Sequence, residues 1–144
     1  MNGYAHTWPL KRWLVVLLTV VFLGLVIDLR SEHVDVVRDT WEAWIPIVFS
    51  GVAFLVGLLT LIWWRGAMRG LFFFVSLCSV VVGGLGFWFH NGEHLAGNLT
   101  KIYQAWYMEV HHPDAPPYLA PLLFCFLGIL GMVAALGRSR SERF

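Results

Sequence analysis

Charge is scarce in this chain. Asp, Glu, Lys and Arg make up only 13% of its 144 residues, where a water-facing domain carries about 25%. That depletion excludes an ordinary soluble surface. Cysteine is also scarce: Cys78 and Cys125 each sit inside an apolar run, with no second cysteine or histidine at ligand spacing. A disulfide framework, a structural zinc site and a Cys-x-x-Cys dithiol are therefore excluded. No basic stripe with interleaved aromatics is present, which argues against nucleic acid as a partner. There is no glycine-rich phosphate loop, and no Ser or Cys stands with a His and an acid at a helix start, so nothing indicates nucleophilic catalysis.

What is abundant is apolar and aromatic: 58% of residues are hydrophobic and 16% are Phe, Trp or Tyr. At this length one compact unit is expected. The apolar residues fall into four uncharged runs, and the reading is an all-α integral membrane four-helix bundle with spans at about 9–28, 44–64, 71–89 and 118–137. The first run is completed by Lys11 and Arg12, whose long side chains snorkel. No small-x-small cleavage site follows it, so it reads as an uncleaved signal-anchor. Pro46 falls in the first turn of the second span, where a missing N–H costs least. Arg65-Gly66-Ala67-Met68-Arg69-Gly70 reads as a tight basic turn. Ser79 and Gly83, four apart, mark a close helix contact and place the third span at the centre of the bundle. Gly128, Gly131 and Ala135 are packing positions in the fourth.

Two segments, 28–43 and 90–117, lie between the spans on the other side. In the first, Val34, Val37, Trp41 and Trp44 share one helical stripe, opposite Asp35, Asp39 and Glu42, as in a helix lying on a membrane surface. In the second, Leu95, Leu99, Ile102, Trp106 and Val110 keep helical spacing before His111-His112-Pro113 ends it.

Four spans place both termini on one side. That side carries Lys11, Arg12, Arg65, Arg69, Arg138, Arg140 and Arg143 against one acid, Glu142, a net of +6. The other side carries Arg30, Arg38 and Lys101 against eight acids, a net of −5. Basic residues favour the cytoplasmic face, so both termini are expected in the cytoplasm of a plasma membrane of the bacterial inner-membrane type. Tryptophans mark both interfaces: Trp8, Trp13, Trp63 and Trp64 inside, and Trp41, Trp44, Trp88 and Trp106 outside.

No ionisable residue lies deep within a run, which excludes a proton relay, an ion path or a mid-membrane haem. The candidate site is instead at the outer interface. His90-Asn91-Gly92-Glu93-His94 places two imidazoles four apart, a two-point chelate for a transition metal such as zinc or copper if the third helix runs on by a turn. Glu93 lies between them, and His33 or Glu32 from the other outer segment supplies a third ligand. A haem near the outer leaflet is the other occupant considered. The bland alternative is a set of interfacial histidines hydrogen-bonded to nearby acids. The formal His-x-x-Glu-His match to a metalloprotease pattern is set aside, because no soluble domain or substrate cleft accompanies it. Asn98-Leu99-Thr100 is a formal glycosylation acceptor.

These features favour a small accessory subunit that packs in the bilayer against a larger integral membrane complex, such as a respiratory or other redox assembly, or against copies of itself. A metal- or haem-holding bundle using His90, His94, His33 and Glu93 is the alternative. A quinone-reactive mouth around Trp88, Phe89 and His90 is a third.

Overall fold

The computed structural model describes residues 10–32, 38, 41–92, 96–97, 99–100, 103 and 120–136. Four helices dominate them: α1 (Leu10–Glu32), α2 (Trp44–Ile62), α3 (Gly66–Asn91) and α4 (Leu122–Ala135), with a single 3₁₀ turn at Trp41–Ala43 before α2. No strand occurs among the described residues. Helix is what an apolar chain needs in lipid, because each backbone N–H and C=O finds its partner within the segment.

Three of the helices are long and apolar enough to cross a membrane, over Leu10–Ser31, Trp41–Ile62 and Gly66–Phe89, with mean hydropathies of 2.3, 2.5 and 2.2. The bundle buries only 22% to 33% of each. The remaining faces carry Leu17, Val20, Val52, Leu55 and Phe74, all exposed. A face of that composition suits hydrocarbon, not water. The lipid bilayer is thus the environment these helices suggest.

The element boundaries depart from the expected ones in three places. First, α1 does not stop at residue 28. It carries Asp28, Arg30 and Glu32 as helix, so the start of the expected outer segment belongs to the first helix. Arg30 in the last turn suits the negative end of the helix dipole. Second, 65–70 is not a turn. The reversal is confined to Trp63, Trp64 and Arg65, where the Arg65 N–H bonds the Trp63 carbonyl at 2.7 Å. Helix resumes at Gly66, and the Arg69 N–H already bonds the Arg65 carbonyl at 3.0 Å. Ala67, Met68 and Arg69 are good helix formers and outweigh the two glycines. Third, α4 has only 14 residues. At 1.5 Å per residue that is about 21 Å, short of the roughly 30 Å hydrocarbon core. Pro121 stands at its N-cap and Leu136 is extended at its end.

Of the two expected surface helices, Arg38 in the first and Ala96, Gly97, Leu99, Thr100 and Tyr103 in the second are helical. The rest of both segments lies outside the described residues.

Packing is antiparallel between chain neighbours. Thr19 of α1 meets Gly57 of α2, and Phe22 meets Phe49 with ring centroids 6.3 Å apart. On the other side Ser76 of α3 meets Gly131 of α4, while Gly83 meets Cys125 and Pro121. The α1–α2 and α3–α4 pairs make the most extensive contacts, and α2–α3 and α1–α4 close the ring. The third helix is therefore one corner of the bundle rather than its centre: Gly83 and Gly86 face α4, and Gly84 faces open space.

The core follows helical spacing. Val15, Leu18 and Phe22 come from α1, Ala53 and Val56 from α2, Phe72 and Val75 from α3, and Phe124, Leu127 and Ala134 from α4. Phe22, Phe49 and Phe124 form a triangle, with the other two centroid distances 6.5 Å and 6.1 Å. Hydroxyls in this interior are satisfied along their own helices. Thr19 donates to the Val15 carbonyl at 2.6 Å, Thr60 to Val56 at 2.7 Å and Ser76 to Phe72 at 2.7 Å. Two hydroxyls also reach another helix: Thr60 Oγ1 lies 3.3 Å from the Met68 carbonyl of α3, and Ser79 Oγ donates to the Phe124 carbonyl of α4 at 2.8 Å. The α3 and α4 backbones approach closely enough for this because Gly83, Gly128 and Gly131 lack side chains.

Candidate functional site

The predicted site begins at the end of α3. The helix reaches His90 and Asn91, and Gly92 then adopts φ 42°, ψ −131°, with its N–H bonded to the Trp88 carbonyl. This positive φ is a conformation glycine adopts freely and other residues do not. It closes α3 at Asn91, and how His94 is placed relative to His90 lies outside the described residues. Asn91 is buried at this end, and its Nδ2 donates to the Phe87 carbonyl at 2.9 Å.

His33, Glu93, His94, His111 and His112 lie outside the described residues, as does the Asn98 acceptor, and for His90 only the backbone is described. Among the described residues no three His, Cys, Asp or Glu side chains gather as a metal would require. Cys78 and Cys125 are free and half-buried, and the Cys125 thiol donates to the Val80 carbonyl at 3.4 Å. They behave as small packing residues.

The aromatic mouth takes a different form from the one expected. Trp88 and Phe89 are 66% and 74% exposed, turned outward rather than into a cleft. A shallow, open depression of about 510 Å³ does lie near the same end of the bundle, against Val26, Ile27, Arg30 and Ser31 of α1, and neither aromatic lines it. At its edge, the Arg30 guanidinium lies 5.9 Å from the Trp44 ring centroid.

The more organised polar structure is at the opposite end, where the sequence had suggested only a marker of sidedness. The antiparallel arrangement brings the start of α1, the α2–α3 turn, the start of α3 and the end of α4 together. Trp64 is the hub. The Arg12 guanidinium lies 5.0 Å from its ring centroid and the Arg69 guanidinium 5.6 Å. Arg69 Nη2 also donates to the Ala135 carbonyl at 3.1 Å, and Lys11 Nζ to the Leu136 carbonyl at 2.9 Å. Those carbonyls lie at the end of α4, and two cations from other helices cap them there. The available sequence signal was the pairing of Lys11-Arg12 with Arg65 and Arg69 across two antiparallel spans, with Trp64 between.

Comparison with protein-family models, with curated proteins and with solved structures returned no match. The class defined by the coordinates is accordingly a structural one: an all-helical bundle with three membrane-length apolar helices and a shorter fourth.

Proposed function

We propose that this chain is a small accessory subunit, a structural and docking element of a larger integral membrane complex. In this reading it crosses a plasma membrane of the bacterial inner-membrane type four times. Residues flanking α4 complete the last crossing, and both termini are cytoplasmic. The charge count supports that sidedness, with seven basic residues on the side of the termini and three on the other.

One observation carries the reading. The described core of the bundle is filled by aliphatic and aromatic side chains, and its hydroxyls are spent on backbone carbonyls. Every charged residue of the four helices stands near a helix end. Intramembrane ionisable groups mark solute paths and relays. An interior without them serves to hold helices together. What remains for recognition is the outward apolar face and the acidic outer segments, with a net charge of −5.

Purification of the tagged chain in mild detergent, followed by native electrophoresis and mass spectrometry of what accompanies it, tests this. The expected result is a defined assembly with other integral membrane subunits at fixed stoichiometry. A lone chain carrying a stoichiometric transition metal or haem, lost in His90→Ala/His94→Ala, would replace this reading with the metal- or haem-holding one.

A further inference from the structure

We infer that the flank formed by α1 and α4 is a lipid-facing surface fitted to a thinned bilayer. The chain compresses the membrane along that flank, while α2 and α3 meet it at full thickness. The inference rests on α4 crossing the membrane, as proposed above, and not on a larger complex.

The argument starts from where polarity begins on each helix. On α1 the uncharged stretch between Arg12 and Asp28 covers residues 13–27, about 22 Å of helix. The 14 residues of α4 give about 21 Å. On α3 the stretch between Arg69 and His90 covers residues 70–89, about 30 Å, and the 19 residues of α2 give about 28 Å. The hydrocarbon core is roughly 30 Å thick, so α2 and α3 match it and α1 and α4 do not. The two short helices are neighbours in the ring, which gathers the shortfall on one flank.

A short span escapes mismatch when long basic side chains reach outward to water. Here they are engaged at the helix ends. Lys11 Nζ bonds the Leu136 carbonyl, Arg69 Nη2 bonds the Ala135 carbonyl, and the Arg12 guanidinium lies 5.0 Å from the Trp64 ring centroid. These contacts hold the inner charges level with the last turn of α4. Charge is costly in hydrocarbon, so the polar layer comes to them.

At the outer end α4 starts below the end of α3. Pro121, at the N-cap, lies against Gly86, where an added Cβ would meet the proline ring at 3.0 Å. The N–H groups of Leu123 and Phe124 bond the Ala120 and Pro121 carbonyls at 3.1 Å, as a turn rather than a further length of α-helix. Backbone that leaves a helix belongs in the polar layer. Past Gly86, however, α3 stays apolar through Phe87, Trp88 and Phe89.

The side chains decide what covers the flank. Leu17 and Val20 of α1 and Phe126, Ile129 and Val133 of α4 are each more than half exposed. No charged, hydroxyl or amide side chain occurs in α4. Helices that pack together in lipid turn small residues to the contact. Gly128 and Gly131 already face α3, which leaves the bulky residues of α4 outward, as acyl chains require.

The test places spin labels on the full chain, in a Cys78→Ala/Cys125→Ala background, in vesicles of dioleoyl phosphatidylcholine. Depth is read from collision with oxygen and with a water-soluble nickel chelate. Labels go on Leu122→Cys, Ile129→Cys and Leu136→Cys in α4 and on Leu85→Cys in α3, all exposed positions. Leu85 adjoins Gly86, so it shares a level with the start of α4. Ile129→Cys is expected deep in hydrocarbon, and Leu122→Cys and Leu136→Cys at headgroup depth. Leu85→Cys is expected about 6 Å deeper than Leu122→Cys, the four residues left to Phe89. Equal depths at Leu85→Cys and Leu122→Cys would overturn the inference and leave the crossing intact. Shallow readings at all three α4 positions would show that α4 does not cross, and would overturn both. Weak collision with both reagents at Ile129→Cys would mark a flank covered by protein and overturn the lipid assignment. The unlabelled wild type gives a second reading: its unfolding midpoint falls as monounsaturated phosphatidylcholine chains lengthen from 14 to 22 carbons. A midpoint that rises with chain length would overturn the inference even if the labelled variants do not fold.

Discussion

Gly83 and Gly84 are adjacent in α3 and should respond oppositely to the same substitution. A Cβ on Gly83 would lie 2.7 Å from the Cys125 nitrogen, the Cys125 sulfur and the Pro121 oxygen. That is roughly 0.7 Å inside the 3.4 Å at which ordinary contact begins. Two of those three atoms are backbone, so no rotamer change relieves them and α3 must move off α4. Overpacking of this kind costs about 1–3 kcal/mol. Separation also lengthens the 2.8 Å bond from Ser79 Oγ to the Phe124 carbonyl, worth about 0.6 kcal/mol between membrane helices. Gly83→Ala should therefore destabilise by roughly 2–3 kcal/mol. A Cβ on Gly84 meets nothing within 4 Å. Gly84→Ala should be neutral, or stabilising by up to about 1 kcal/mol through helix propensity. Equilibrium unfolding in mixed micelles, titrated with dodecyl sulfate and followed by circular dichroism, measures both. Equal effects of the two variants, or an unperturbed Gly83→Ala, would refute the close α3–α4 contact.

Three further outcomes follow from the same packing. Phe72 is 1% exposed in the core, so Phe72→Ala should cost about 3–5 kcal/mol in the same titration. Ser79→Ala removes only the one interhelical bond and should cost about 0.6 kcal/mol, well below Gly83→Ala. Gly92 holds a positive φ at the end of α3, so Gly92→Ala should cost about 1–3 kcal/mol, while Gly84→Ala, within the same helix, does not.

The helices were legible because their signal is coarse. An uncharged run of about 20 residues needs only length and composition to be recognised. The α3–α4 seam was half legible: Ser79 and Gly83 marked a close contact on α3, and Gly128 and Gly131 marked packing positions on α4, but spacing along one helix does not name the helix that faces it. The partner emerged from the antiparallel register that sets Gly83 against Cys125. Boundaries were hidden where polar residues remain helical. Asp28 and Arg30 were read as the start of the outer, surface-lying segment, yet a helix leaving lipid keeps its hydrogen bonds into the headgroup layer. Gly66 and Gly70 looked like a turn, yet the reversal took only Trp63, Trp64 and Arg65. The histidine chelate was read from i, i+4 spacing alone; Gly92 closes α3 at Asn91, a stop signal that local sequence offers but does not enforce, and Glu93, His94 and His33 lie outside the described residues. The basic end was visible as a charge count and not as a site, since only the fold brings Arg12, Trp64 and Arg69 together across three elements.

The central claim is that hydrocarbon surrounds four consecutive helices, leaving the α2–α3 turn and the tail on one side and the outer segments on the other. Single cysteines at Trp41→Cys, Arg65→Cys and Ser139→Cys, probed in intact cells with a membrane-impermeant maleimide, test it most directly, with the half-buried native Cys78 and Cys125 as the shielded background. The account predicts that Trp41→Cys is labelled from outside, and that Arg65→Cys and Ser139→Cys are labelled only after the membrane is opened. Labelling of Ser139→Cys from the same side as Trp41→Cys would show that α4 does not cross, and labelling of Arg65→Cys from that side would contradict the account altogether.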